Sequence, residues 1–274
     1  MSHQYVLEFA ALSDIGRVRK HNEDAIVVCA DYGCVVLADG MGGYKAGEVA
    51  SAMTAKIVAD YLCAKLDSAW YTKLGFQSIH LSRWISDAIH LANRQVVQTS
   101  QENPECFGMG TTVVVACCTQ DKILFAHVGD SRAYRYRNHA LVRMTEDHSV
   151  LQEQINAGLI SESQARFSTI KNLITRAVGT QENIEVDLSV HQADETDVYM
   201  LCSDGLTDLL ADDQIRDILR QYEGNLQACC RALIDCANEA GGFDNASVVL
   251  FKLKAVSGPS WVKKLLFRQL FKIE

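Results

Sequence analysis

Four aspartates share an unusual setting. Asp39 closes the run Val35-Val36-Leu37-Ala38 and enters Gly40-Met41-Gly42-Gly43. Asp204 closes Val198-Tyr199-Met200-Leu201-Cys202-Ser203 and enters Gly205. Asp130 follows Leu124-Phe125-Ala126-His127-Val128-Gly129, and Asp244 stands in Gly241-Gly242-Phe243-Asp244-Asn245, just ahead of another apolar run. Each reads as a carboxylate at a strand terminus beside a glycine. Strand ends are rigid, and glycine lets carbonyls and waters approach closely. Several such ends meeting in space would make an oxygen-only cage, which hard cations such as Mg²⁺ and Mn²⁺ prefer. A lone Asp-Gly is ordinarily a turn, but four carboxylates in one kind of setting are harder to read that way.

Other phosphate chemistries lack their residues. A cysteine-nucleophile phosphatase needs Cys, five residues and Arg, and none of the ten cysteines has Arg six positions later. The Asp-x-Asp of aspartyl-phosphate enzymes is absent, and so is the P-loop pattern of NTPases. No Cys-x-x-Cys occurs. Most cysteines lie in apolar runs such as Val115-Ala116-Cys117-Cys118, which predicts reduced core residues of a cytoplasmic protein.

The elements that must hold these residues follow from pattern. The 274 residues are 48% hydrophobic and 22% charged, enough for one large globular domain. Lys plus Arg number 26 and Asp plus Glu 34, a formal charge of −8. That balance disfavours nucleic acid as a partner. The first residues show no secretory signal, and no apolar run is long enough to span a membrane. Short apolar runs predict strands at 5–11, 25–30, 34–38, 111–118, 123–128, 133–137, 141–144, 185–190, 198–202 and 246–253. Helices are predicted at 46–66, 82–100, 212–222 and 226–240, the first from its stripe Val49, Met53, Ile57, Val58, Tyr61 and Leu62. Helix pairs between blocks of hairpin-like strands do not suit a doubly wound sheet. The expected fold is α+β, a four-layer α-β-β-α sandwich with two antiparallel sheets inside and helix pairs outside.

The ordered set of motifs carries a resemblance. Gly16 to Asp24 (GRVRKHNED), Ala38-Asp39-Gly40-Met41-Gly42-Gly43, Gly110-Thr111-Thr112, Val128-Gly129-Asp130-Ser131-Arg132, Asp147-His148-Ser149, Ile174-Thr175-Arg176-Ala177, Cys202-Ser203-Asp204-Gly205 and Asp244-Asn245-Ala246-Ser247 run across residues 10–253. Each is weak alone, but in this order the chain resembles the bacterial PP2C-type, metal-dependent Ser/Thr protein phosphatases, the PPM family. The resemblance implies two to three divalent cations, Mn²⁺ or Mg²⁺. Asp39 would bridge two of them, and the Gly40 carbonyl would complete one. Asp204 and Asp244 would bind the other, with Glu23 in an outer shell through water. Asp130, with Asp204, matches a third cation position. Arg19, four residues before Glu23, matches the arginine that clamps the substrate phosphate, and the spacing favours it over Arg17. The implied reaction is hydrolysis of phosphoserine and phosphothreonine by a hydroxide that bridges two cations, with cations and guanidinium balancing charge on the phosphate oxygens.

Met41 departs from many eukaryotic members, which carry His there as a proposed general acid. Met cannot donate a proton. His148 is one substitute, though it reads better as a residue holding its loop, and water on a cation is the preferred donor. Residues 149–172 match the family's flap, where Ser168 is a loosely aligned candidate for the third cation. The domain is read as 1–256. A tail, 257–274, carries Lys263, Lys264, Arg268 and Lys272 against Glu274, with Val262, Leu265, Leu266, Leu270 and Ile273 on one helical face. It reads either as a helix packed on the acidic body or as a docking helix for a partner or an anionic membrane. The partners implied are phosphorylated protein substrates and a cognate Ser/Thr kinase, and the protein itself is expected to be a cytoplasmic monomer. A pseudoenzyme that binds phosphoproteins without turnover would lack a ligand, and none is missing. A hydrolase of small phosphoesters is the other alternative.

Overall fold

The structure, a computed structural model, describes residues 4–42, 46–67, 78–119, 121–161, 164 and 173–256. Ser168 and the tail 257–274 lie outside those residues. Strands β1 (Gln4–Asp14), β11 (Ala246–Val256), β10 (Val198–Cys202), β7 (Arg132–Arg137) and β8 (Ala140–Arg143) form one sheet in that order. The second runs β2 (Asp24–Cys29), β3 (Cys34–Met41), β5 (Val113–Cys118), β6 (Lys122–Val128) and β9 (Asp187–Gln192), with the two-residue β4 (Gly110–Thr111) beside β3. All their pairings are antiparallel.

The layers follow from the two-residue period of the strands. On β3, Cys34, Val36 and Ala38 face helices α1 (Ala46–Asp67) and α2 (Ser78–Glu102), whereas Val35 and Leu37 face the other sheet. On β11, Val248 and Leu250 face α5 (Asp212–Gln221) and α6 (Leu226–Glu239), whereas Val249 and Phe251 face inward. Each strand therefore feeds two cores at once. Between the sheets, Tyr199 stacks on Phe251 at 5.5 Å and meets Phe125 edge-on at 5.9 Å. The four-layer α-β-β-α sandwich read from the sequence is the fold.

Three local differences bear on the site. The expected strand 111–118 is two strands, because the chain breaks at Thr112. There the Thr112 N–H donates to the Asp39 carbonyl and its Oγ1 accepts from the Asp39 N–H. Asp39 is not at a strand terminus: β3 continues to Met41 because β4 offers it a partner across Gly40 and Met41. Asp204 opens a single helical turn, α4 (Asp204–Thr207), and α2 begins four residues before its expected start. Ser149 caps α3 (Val150–Asn156) by accepting from the Gln152 N–H. All ten cysteines are free, and no helix among the described residues is long and apolar enough to cross a membrane.

Candidate active site

The functional pole is where β2 begins, β3 and β10 end, β11 begins and β6 turns into β7. Asp24 and Asp39 are opposite one another in the β2–β3 register. The Asp39 carboxyl hydrogen-bonds that of Asp204, and Asp24 and Asp130 lie close enough to raise it further. Asp204 in turn feels Asp208 and Asp244, and Glu23 feels Arg19 and Asp244. Glu23, Asp24, Asp39, Asp130, Asp204 and Asp244 are all half-buried. Arg19, Glu23, Asp39 with its neighbour Gly40, Asp130, Asp204 and Asp244 are therefore brought to one place.

Backbone fasteners explain why the cluster holds despite like charge. The buried Asn245 side chain donates to the carbonyls of Ile15 and His21, each at 2.9 Å, and accepts from the Glu23 N–H at 2.8 Å. Ser203 N–H donates to the Ser247 carbonyl, and Ser203 Oγ donates to Asp24 Oδ2 at 2.8 Å. The Thr111 hydroxyl donates to the Asp39 carbonyl at 2.7 Å. Gly40 is required by close approach: a Cβ there would lie 2.2 Å from the Gly47 carbonyl oxygen and 2.6 Å from that of Glu23.

The carboxylates raise one another's proton affinity, and so does their burial. Burial, with Asp24, Asp204 and Asp130 beside it, holds Asp39 well above the ordinary carboxylate range. Burial and the Asp204 charge push Asp130 up to about 8. Burial also takes Asp24 to about 7, against the opposing bonds from Ser247 and Ser203. Asp204 rises to about 6, through burial and then the charge of Asp208. Asp39 and Asp204 hydrogen-bond one another, and both stand above the ordinary carboxylate range. Asp24 Oδ1 is buried with no hydrogen-bond partner, although buried polar oxygens are nearly always satisfied. An all-oxygen donor set with an orphaned carboxylate oxygen fits a hard divalent cation.

Arg19 stands at the mouth, its Nη2 2.6 Å from Asp244 Oδ2 and its side chain half-exposed. Arg17 instead ties its backbone N–H to the Gly242 carbonyl. His148 is held on every side. Its N–H donates to the Gly129 carbonyl and its Nδ1 accepts from the Gly129 N–H. Its Nε2 faces Asp187 at 3.4 Å, and its ring stacks on His127 at 4.5 Å. His127, His148 and Asp187 crowd as metal ligands would. Arg176 already supplies the cation there, 2.9 Å from Asp187 and 3.3 Å from His148 Nε2, so the trio is a structural network.

Two features escaped the sequence reading. Asp24 was visible in Asn22-Glu23-Asp24, but nothing in its spacing distinguished it from a strand residue; its register opposite Asp39 is the missing signal. A cleft of about 470 Å³ opens beside Asp130 and Asp204, bounded by Asp147, Asp208, Arg132 and Arg143 among others. Its acids come from separate segments with no common motif.

The profile of the family described as "Protein phosphatase 2C" matches residues 17–237. The chain belongs to the protein phosphatase 2C family. It is 36% identical over 242 residues to the "Serine/threonine phosphatase stp" of Listeria monocytogenes, covering 87% of this chain and 92% of that protein. The Mycobacterium tuberculosis serine/threonine phosphatase PstP/Ppp superposes with a TM-score of 0.81 at 32% identity, covering 91% of this chain and 99% of that one. The catalytic domain of PstP in complex with two manganese ions gives 0.79 at 32% identity, with the same 91% and 99% coverage.

Proposed function

We propose that this phosphatase hydrolyses phosphoserine and phosphothreonine in proteins with the help of two to three divalent cations, Mn²⁺ or Mg²⁺. The observation that carries the reading is the cluster of Asp24, Asp39, Asp130 and Asp204, raised out of the carboxylate range by burial and mutual repulsion, with one oxygen orphaned. Asp39, the Gly40 carbonyl, Asp204 and Asp244 would hold the cation pair, Glu23 and Asp24 the surrounding waters, and Asp130 with Asp204 a third cation. Bound there, divalent cations supply an acidified water as nucleophile and neutralise the phosphate oxygens.

The protein's own groups do the rest. Arg19 presents a planar fork to two oxygens of one anion, and the Asp244 carboxylate now beside it has the two-oxygen geometry that a phosphate also offers. Thr112 and Thr111 keep Asp39 aimed by pinning both its backbone groups. Met41 has no proton to give, and His148 is committed to Gly129 and Asp187, so the leaving oxygen takes its proton from water. Residues 1–256 form the phosphatase domain in this reading, 149–172 its flap, and 257–274 an appended tail. The substrates are products of a Ser/Thr kinase, and the free thiols suit a reducing cytoplasm.

The test is turnover of p-nitrophenyl phosphate and of a phosphothreonine peptide, with Mn²⁺ and then with EDTA. Activity that needs the cation and disappears in Asp39→Asn supports the reading. Peptide binding with no turnover at any cation concentration replaces it with a phosphoprotein-binding pseudoenzyme.

A further inference from the structure

Beside Arg19 stands a wall that neither the cores nor the carboxylate cluster uses. Loops 15–23 and 241–245 are joined at successive points. The Arg17 N–H donates to the Gly242 carbonyl at 2.7 Å, and Arg19 reaches Asp244 at 2.6 Å. Asn245, 5% exposed, bonds both Ile15 and His21 from inside. Between the first two joints lie Val18 on one loop and Phe243 on the other. They are 61% and 63% exposed.

Phe243 is presented by special backbone. Gly241 has φ 136°, and a Cβ on it would lie 2.5 Å from the Phe243 ring. The ring therefore rests on bare glycine and is held out towards solvent. An apolar side chain of this size left in water forgoes the gain of burial. Large apolar groups exposed together on a braced support mark a contact surface. The same loop carries Arg17, Arg19, Lys20 and His21, so the occupant brings an anion as well as an apolar group.

We propose that Val18 and Phe243 receive an apolar side chain next to the phosphoserine or phosphothreonine of the substrate protein, so that the enzyme prefers phosphosites flanked by apolar residues. This rests on the phosphatase reading above. Val18 is covalently next to Arg19 and Phe243 next to Asp244. A phosphate held by Arg19 puts the adjoining peptide residues, each adding about 3.3–3.6 Å of chain, against them. The cleft beside Asp130 and Asp204 carries Asp147, Asp208, Arg132 and Arg143 along with its apolar residues Leu151, Ile155 and Leu209, whereas the apolar pair Val18 and Phe243 adjoins Arg19 directly in the chain and across the loops.

The experiment uses the full chain with Mn²⁺ and two phosphothreonine peptides of equal charge, one flanked by leucines and one by glycines. The wild-type ratio of kcat/KM, leucine over glycine peptide, should exceed about 10, the scale of one apolar contact in a specificity site. Val18→Ser and Phe243→Ser should each lower that ratio several-fold, and the double variant should bring it near one. Val190→Ser, an exposed apolar change on β9 away from the wall, should keep the wild-type ratio. A wild-type ratio near one, or an undiminished ratio in the double variant, overturns the proposal. If the wild-type protein turns over neither peptide nor p-nitrophenyl phosphate, the phosphatase reading fails instead. The wall is then judged by equilibrium binding of the same two peptides, where equal affinities would overturn it.

Discussion

The aspartates that flank the two ends of β10 have opposite fates. At its start Asp197, fully buried, accepts from Arg137 Nη2 at 2.7 Å, from the Asp194 N–H at 2.9 Å and from the Tyr199 hydroxyl. Burial pushes its pKa up, but the Arg137 and Tyr199 bonds more than offset that, and Asp197 stays below the usual range. At the other end burial and the charges of Asp208 and Asp244 outweigh the more modest pull of Arg132, and Asp204 rises to about 6. The residue type and the strand are the same, and the chemistry differs by a guanidinium bonded directly to the carboxylate. A paired carboxylate braces the fold. An unpaired cluster stores repulsion that a cation relieves, which is how perturbed acids come to mark functional sites.

Substitution at the two ends should separate those roles. Asp204→Asn should lower kcat/KM by about 10³-fold or more, the scale of losing a central charge-stabilising group, without loss of thermal stability in EDTA. A variant that keeps wild-type turnover would break the contrast. Asp197→Ala should do the reverse. It should cost about 3 kcal/mol of stability, as breaking a buried ion pair does, and leave kcat of the folded enzyme unchanged; urea unfolding and saturation kinetics read the two halves.

The pH dependence sharpens the comparison. Asp24, Asp130 and Asp204 keep protons in the folded, cation-free protein to about pH 7, 8 and 6, against 3.8 ordinarily. The folded chain then binds more protons than the unfolded chain between about pH 4 and 8, so cluster-linked stability falls as pH rises through that window. In EDTA the Tm of Asp204→Asn should therefore fall less between pH 5 and 8 than that of the wild-type protein. An equal or steeper fall would remove the repulsion from the account. The smallest effect belongs to Ser203→Ala, which removes a hydroxyl bond from Asp24. It should cost about 1 kcal/mol and weaken Mn²⁺ binding only slightly, as calorimetry would register.

Much of this was legible beforehand. Helix pairs set between blocks of short apolar runs implied two antiparallel sheets with helices outside, whereas the sorting of β3 and β11 side chains between two cores came only with the fold. Asp39, Asp130, Asp204 and Asp244 were visible because each follows or precedes an apolar run beside glycine. Asp24, the break at Thr112 and the Asn245 bonds were not. Asn245 reaches Ile15 and Glu23 across more than 200 residues of chain, and no local pattern records such a meeting.

The order of residues thus settled where the apolar runs lie and which carboxylates adjoin them, since both are short-range patterns. Whether a given carboxylate is a brace or a reactive group was decided in three dimensions. Burial and the distance to the nearest guanidinium set its proton affinity, and those distances exist only once remote segments have packed.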